Sequence, residues 1–271
     1  MDLHIHSCYK AEAFSAIFQT LKAFTETVNL QFTPERMYIQ AMDSARISVL
    51  ELILPAGWFS QYRCEVPVTL GIHVGVLHKI LSARDKTQVL HMHYDAMAAS
   101  DRLEVHMMLP DSLDTEAKRS GGDRTIFDKH FDTPLVDLEC DVMEIPEIEY
   151  QVEITLPSVH FATLVAQMRG FGDHLDIQCN EERVTMSTMT AESGKMTVDV
   201  DNEDLIGFAI EEDQTVRMCF ALSPLQTISQ YCKISKEVDL KLHAEYPLRV
   251  EYKLDDGGVA SFYLAPKIGD D

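Results

Sequence analysis

The residues of this chain best suited to chemistry are two His-x-His pairs. His4 and His6 stand in the opening Asp2-Leu-His-Ile-His-Ser7, and His91 and His93 repeat the spacing. Alternate residues of a strand share a face, so His4 and His6 would present two imidazoles together, a workable ligand pair for a metal. The later acidic and histidine motifs of a hydrolytic metal centre are absent. The plain reading is therefore two histidines on an edge strand at the start of the first domain, with no metal. The six cysteines form no CxxC pair and fit no zinc ribbon. Most sit among apolar residues, where a reduced thiol acts as a small hydrophobe. No GxxxxGK[ST] phosphate loop occurs. No catalytic constellation emerges, so neither enzymatic activity nor a cofactor is expected.

The elements that must carry these residues come in two similar sets. Val28 to Glu35 reads VNLQFTPE and Leu175 to Glu182 reads LDIQCNEE, and the match continues through Arg36 and Arg183 to Met42 and Met189. Each copy alternates, turns at a polar corner and alternates again, which predicts a β-hairpin. A helix is expected before each copy. The first spans about Ala11 to Thr27 with Phe14, Ile17, Phe18, Leu21 and Phe24 on its apolar stripe. The third follows Leu156-Pro157, with Ser158 as a plausible N-cap and Phe161, Leu164, Val165 and Met168 buried. The second and fourth start near Ile72 and near Ser223-Pro224. Thr87 to Tyr94 and Val238 to Ala244 read as strands at matching places in the two halves. Leu248 to Leu254 and Ala260 to Leu264, joined by Asp255-Asp256-Gly257-Gly258, read as a hairpin.

These readings give an α+β chain of two similar domains, residues 1–133 and 151–271, with a connecting segment at 134–150. That segment is acidic and studded with Leu138, Val142, Met143 and Ile145, so it can rest on a surface through its apolar side. Residues 111–128 are polar and Gly-containing and read as a mobile loop. A long internal repeat favours a symmetric assembly over a single catalytic cleft. The apolar fraction of 46% suits real cores and argues against disorder. No apolar run reaches membrane-spanning length, and the start lacks the basic and apolar parts of a secretory leader, so a soluble intracellular protein is expected. The net charge of −21 argues against a uniform phosphate-gripping surface but allows one locally basic face.

Four stretches, in order on this duplicated pattern, resemble the eukaryotic-type DNA sliding clamps, the proliferating cell nuclear antigen (PCNA) family. They are Gln40 to Ser44 (QAMDS), Glu144 to Glu147 (EIPE), Pro247 to Lys253 (PLRVEYK) and Phe262 to Ile268 (FYLAPKI). The resemblance implies a head-to-tail homotrimer closed into a ring, with strands outside and helices lining the hole. Such a ring slides on double-stranded DNA, read without sequence preference, and tethers DNA polymerase as a processivity factor. Clamp relatives bind an ATP-dependent clamp loader, flap endonuclease and ligase through short motifs of a glutamine, an aliphatic residue and two aromatics. The matching pocket positions here are Met42, Arg46, Ile47, Val49, Met143, Ile145, Pro146, Pro247, Tyr263, Leu264, Ala265 and Pro266. For Val49 and Leu264 a plain core role is a substantial alternative.

DNA-facing candidates are Lys22 and Lys79, at family basic positions, and Lys10, Arg84, Lys86, Arg169, Lys233 and Lys236 beside the helices. By position, one ring edge is expected near Phe127 to Thr133, with Phe127 and Phe131. Its partner edge is expected near Val184 to Met189, with Val184 and Met186. The chain departs from the family where Ser15, Ser82, Thr163, Ala166, Ser223 and Gln230 fill basic positions, which predicts weaker phosphate contact. Glu181 stands where relatives carry a regulatory lysine, Arg46 where many have histidine, and Glu144 where glycine is frequent. The 111–128 loop exceeds the usual family length. A nuclear location, or a viral replication site, follows from the resemblance. Two alternatives stand beside it. One is a clamp-like scaffold with a non-replicative role. The other is a metal phosphoesterase of the polymerase-and-histidinol-phosphatase type, whose opening motif resembles Asp2 to Ser7.

Overall fold

The computed structural model describes residues 1–96, 101–110, 126–139 and 142–267. Most of the 111–128 loop expected from the sequence lies outside these residues. The chain divides into two compact units. The first holds 1–40, 52–141 and 255–258, and the second holds 41–51, 142–254 and 259–271.

The first unit runs β1 (Asp2–Ile5), α1 (Cys8–Phe24), β2 (Thr27–Phe32), β3 (Arg36–Met42), β4 (Ser48–Pro55), β5 (Gln61–Arg63), β6 (Val68–His73), α2 (Val74–Leu81), β7 (Val89–His93), β8 (Arg102–Met108) and β9 (Lys129–Pro134). The second runs β10 (Val152–Pro157), α3 (Ser158–Arg169), β11 (His174–Cys179), β12 (Arg183–Thr190), β13 (Gly194–Asp201), β14 (Gly207–Ile210), β15 (Val216–Ala221), α4 (Leu222–Ile228), β16 (Glu237–Leu242), β17 (Leu248–Lys253) and β18 (Val259–Leu264). Element for element, the second set repeats the first. The strand order repeats too. β5-β1-β7-β8-β9 in one unit matches β14-β10-β16-β17-β18 in the other, and β3-β2-β6 matches β12-β11-β15. The duplication legible in eight residues therefore extends through eleven elements.

Helix α1 starts where Ser7 caps it, its side chain accepting from the Lys10 amide, three residues earlier than the apolar stripe predicts. Phe14, Ile17, Phe18 and Leu21 are fully buried, and α1 packs on α2, β1 and β7. In the second unit Phe161, Val165 and Met168 fill the same role on α3, which packs on α4, β10 and β16. Two local readings are corrected. Ser158 does not cap α3; it is the first helical residue, fully buried, and its hydroxyl donates to the Ser235 carbonyl. Leu164 is only half-buried, because it borders a groove along β13 instead of the core.

The start of the connecting segment lies along β6. The Val136 amide donates to the Gly71 carbonyl at 2.9 Å. A Cβ on Gly71 would sit 2.0 Å from the Val136 oxygen, so only glycine admits this approach. No helix among the described residues is long and apolar enough to cross a membrane. The phosphoesterase alternative is overturned by the architecture. A β/α barrel alternates strand and helix about eight times, whereas the strands described here pair antiparallel and each unit has two α-helices.

Candidate partner pocket, helix face and open edges

Within the second unit, residues 142–150 run without regular structure beside β18 and the turn before β17. Together they enclose a pocket of ≈ 180 Å³, lined by Val49, Met143, Glu144, Ile145, Pro146, Ile148, Tyr150, Tyr246, Pro247 and Tyr263. Six of the expected residues meet there: Val49, Met143, Ile145, Pro146, Pro247 and Tyr263. Met42 and Ile47 are exposed at 37% and 38% on the neighbouring turn, and so extend the apolar surface without lining the pocket. Ala265 and Pro266 follow β18, and the Ala265 amide donates to the Ile47 carbonyl at 2.9 Å. Leu264 belongs to the core at 0% exposure, because β18 alternates and its neighbour Tyr263 takes the pocket face.

The turn itself is built by Asp43, whose Oδ1 accepts from the Ile47 and Ser48 amides at 2.9 Å each. Arg46 closes it in the left-handed region at φ 57°, with its side chain exposed. Sequence reasoning missed Ile148, Tyr150 and Tyr246 as lining. The signal was present: Ile148 and Tyr150 alternate with Glu149 and Gln151 and lead in phase to Val152 at the start of β10.

Beneath the pocket sits Arg249. Its guanidinium pairs with Glu251, reaches the Ser261 hydroxyl at 3.3 Å and lies 5.7 Å from the Tyr263 ring centre. It also hydrogen-bonds Tyr150. Burial pushes the Tyr263 phenol up to about 12, with Arg249 opposing the rise. Both tyrosines are therefore neutral apolar walls with a polar tip held from below. The arrangement suits a short peptide with hydrophobic anchors, and offers no nucleophile, general base or electrophile in catalytic juxtaposition.

The helices form the second feature. Of the chain's 44 acidic residues, a single one, Glu12, lies in α1 to α4. Lys22 and Lys79 stand exposed on α1 and α2, Lys86 is exposed after α2, and Lys233 and Lys236 are exposed after α4. Three other candidates are engaged inside their own units. Lys10 is paired with Asp256 at 2.5 Å and lies over the Trp58 ring. Arg84, 5% exposed, donates to the carbonyls of Asp85, Lys86 and Gln88 and so caps the loop after α2. Arg169 pairs with Asp173 one helical turn on. On the second unit's helices, exposed Thr163, Ala166 and Ser223 carry no charge, nor does exposed Gln230 just after α4.

Two sheet edges are the third feature. β9 is the end strand of its sheet, with Phe131 half-buried in it and Phe127 72% exposed just before it. The expected partner edge needs correction. Val184 and Met186 lie on β12, which is hydrogen-bonded to β11 on one side and β13 on the other, and both are buried. A strand paired on both sides has no free amides to offer, so the open edge is β13. Beside β13 runs the apolar groove that Leu164 borders, lined also by Val198, Val200 and Leu205.

The pairing of His4 with His6 is likewise changed. β1 ends at Ile5, so His6 is exposed beyond it, and the imidazole stacked on His4 is His91.

Comparison with known proteins agrees with this architecture. Residues 7–118 match the model of the proliferating cell nuclear antigen N-terminal domain, and residues 144–267 match that of its C-terminal domain. The proliferating cell nuclear antigen of Chaetomium thermophilum (strain DSM 1495) is 29% identical over 269 residues, covering 97% of each chain. The duplicated architecture carries two family domains in their natural order, and the chain belongs to the proliferating cell nuclear antigen family of DNA sliding clamps, which hold replication and repair enzymes on duplex DNA and are not themselves enzymes.

Proposed function

We propose that three copies of this chain close head to tail around duplex DNA, the β9 edge of each pairing with the β13 edge of the next. The observation that carries this reading is the near-absence of carboxylates from the helices of a chain with 44 of them. A surface cleared of acid in so acidic a protein faces a polyanion, and a few exposed lysines then touch phosphates without reading bases.

β9 and β13 are each the end strand of a sheet, so each leaves a row of backbone groups open to a further strand. A heterologous β9–β13 contact that closes makes a ring. DNA polymerase, clamp loader, flap endonuclease and ligase would engage the pocket at 143–150 by short peptide motifs, in the nucleus.

Light scattering over a dilution series tests the assembly. The expected mass is three times the 30.7 kDa monomer. Val198→Asp on the β13 groove should reduce it to the monomer with its fold intact. A persistent wild-type monomer, or a trimer untouched by Val198→Asp, would contradict the proposed edge.

A further inference from the structure

We propose that the five-stranded sheet of the first unit carries a divalent transition-metal site made by Asp2, His4 and His91. The sheet buries Leu3, Ile5, Leu90, Met92, Val105 and Met107 on one face. Its other face collects the remaining residues by strand register. His4 lies opposite His91, His91 opposite His106 and His106 opposite His130, so four imidazoles from four strands form a row. Asp2 lies opposite His93 in the adjacent row.

At one end of the first row three ligand groups converge. The His4 and His91 rings stack with centres 4.0 Å apart and planes 11° from parallel. Both Nε2 atoms lie close to the same oxygen, Asp2 Oδ1, at 3.3 Å and 2.5 Å. All three ligand atoms lie within 4.8 Å of one another, on side chains only 15%, 19% and 33% exposed for His4, His91 and Asp2.

A divalent cation accepts both imidazole lone pairs and the carboxylate at once. Tetrahedral bonds of about 2.0–2.2 Å place ligand atoms roughly 3.3 Å apart, the separation His4 and Asp2 already have. The shorter His91 contact must open by less than about 1 Å, and the two stacked rings must turn out of parallel so that both lone pairs meet the ion. Two imidazoles and one carboxylate suit Zn²⁺, Ni²⁺ or Cu²⁺ over the all-oxygen preferences of Mg²⁺ and Ca²⁺. The bound ion would fasten β1, the first strand of the chain, to β7 in the middle of the sheet, with water in the fourth position. The role is structural and lies outside the clamp's dealings with DNA and peptides.

The test uses tag-free, chelator-stripped full-length protein titrated with Zn²⁺ by calorimetry, with Co²⁺ absorption as a report on coordination. The expected result is one ion per chain and a visible Co²⁺ band of tetrahedral type. His4→Gln, His91→Gln and Asp2→Asn should each weaken binding by at least about tenfold. His106→Gln with His130→Gln, at the far end of the row, should leave binding unchanged. Circular dichroism and solution mass identify any variant that fails to fold, and the remaining two then decide. Absence of saturable Zn²⁺ binding would overturn the proposal. So would binding indifferent to all three ligand variants, or binding lost only with His106→Gln and His130→Gln.

Discussion

Replacing Arg249 by methionine should damage stability and peptide binding by separable routes. The side chain is 28% exposed and its partner Glu251 9% exposed. Removing one member of a buried pair leaves the other charge uncompensated, at about 3–5 kcal/mol where burial is complete. The partial exposure of Arg249 reduces that to about 2–3 kcal/mol here, because water can reach the vacated side of Glu251. Met retains most of the apolar stem, so little of the loss comes from packing. The second effect is on the pocket. Tyr150 and Tyr263 are both tied to this one guanidinium, and without it their rings lose a shared anchor. Binding of a Gln-aliphatic-aromatic-aromatic peptide should weaken about five- to tenfold, near 1–1.4 kcal/mol. Adding Glu251→Gln separates the routes. The double variant removes the stranded charge, so stability should return to within about 1 kcal/mol of wild type while peptide affinity stays low. Urea denaturation and calorimetry with the peptide read the two quantities. If Arg249→Met changes stability by less than about 0.5 kcal/mol, or if the double variant regains peptide affinity, the account of Arg249 as the support of both tyrosines is wrong.

Three further outcomes are expected. Gly71→Ala should cost about 1–3 kcal/mol and speed proteolysis near residues 135–139, since its Cβ meets the Val136 oxygen at 2.0 Å. Gly75→Ala in α2, where a Cβ meets nothing within 4 Å, should be neutral or stabilising, and the opposite order of the two variants by thermal melting would refute this. Thr163→Lys combined with Ala166→Lys adds two cations to the uncharged exposed face of α3. The salt dependence of retention on linear DNA should steepen by up to about 0.9 in log–log slope per phosphate newly contacted, and an unchanged slope would mean that α3 does not face DNA. Burial first, then Lys22, lowers the pKa of His78 on α2. A base held neutral by folding binds fewer protons folded than unfolded, so its contribution is present above the ordinary histidine pKa and is lost as pH falls through that value toward the lowered one. Denaturation midpoints compared near pH 7.5 and 5.5 should drop less for His78→Gln than for wild type; an equal drop would argue against it.

Local alternation carried most of the architecture. The two hairpins, the helix stripes and the Asp255 to Gly258 turn each depend on neighbours a few residues apart, and all are present save for Leu164 on the α3 stripe. What sequence could not rank was pairing across distance. Val184 and Met186 alternate as an edge strand would, and only the capture of β13 on their far side makes β12 internal. Leu164 has the spacing of a core residue, yet the same β13 leaves a groove there in place of a wall. Tyr150 looked like the end of a linker because nothing local announces Arg249 beneath it. His4 was paired with His6 on spacing, whereas register gives it His91, 87 positions away.

Net charge was the least transferable clue, and the reason is geometric. A sum over 44 acidic and 23 basic residues describes the field far from the molecule, where it opposes an approach to nucleic acid. Contact with DNA is decided within about a Debye length, roughly 8–10 Å at physiological salt, where only the nearest side chains count. In this chain those near charges were sorted by element: carboxylates on strands and loops, a single one on the helices. A duplex held by topology also needs little attraction. A ring must only avoid repelling what passes through it, and on the proposed assembly uncharged Thr163, Ala166, Ser223 and Gln230 would meet that requirement without added lysines. An acid placed there is thus the more damaging change. Thr163→Glu with Ala166→Glu should shorten residence on DNA more than loss of Lys233 and Lys236 does, with the assembled mass unchanged. Equal effects would show that attraction, and not the absence of repulsion, governs the inner face.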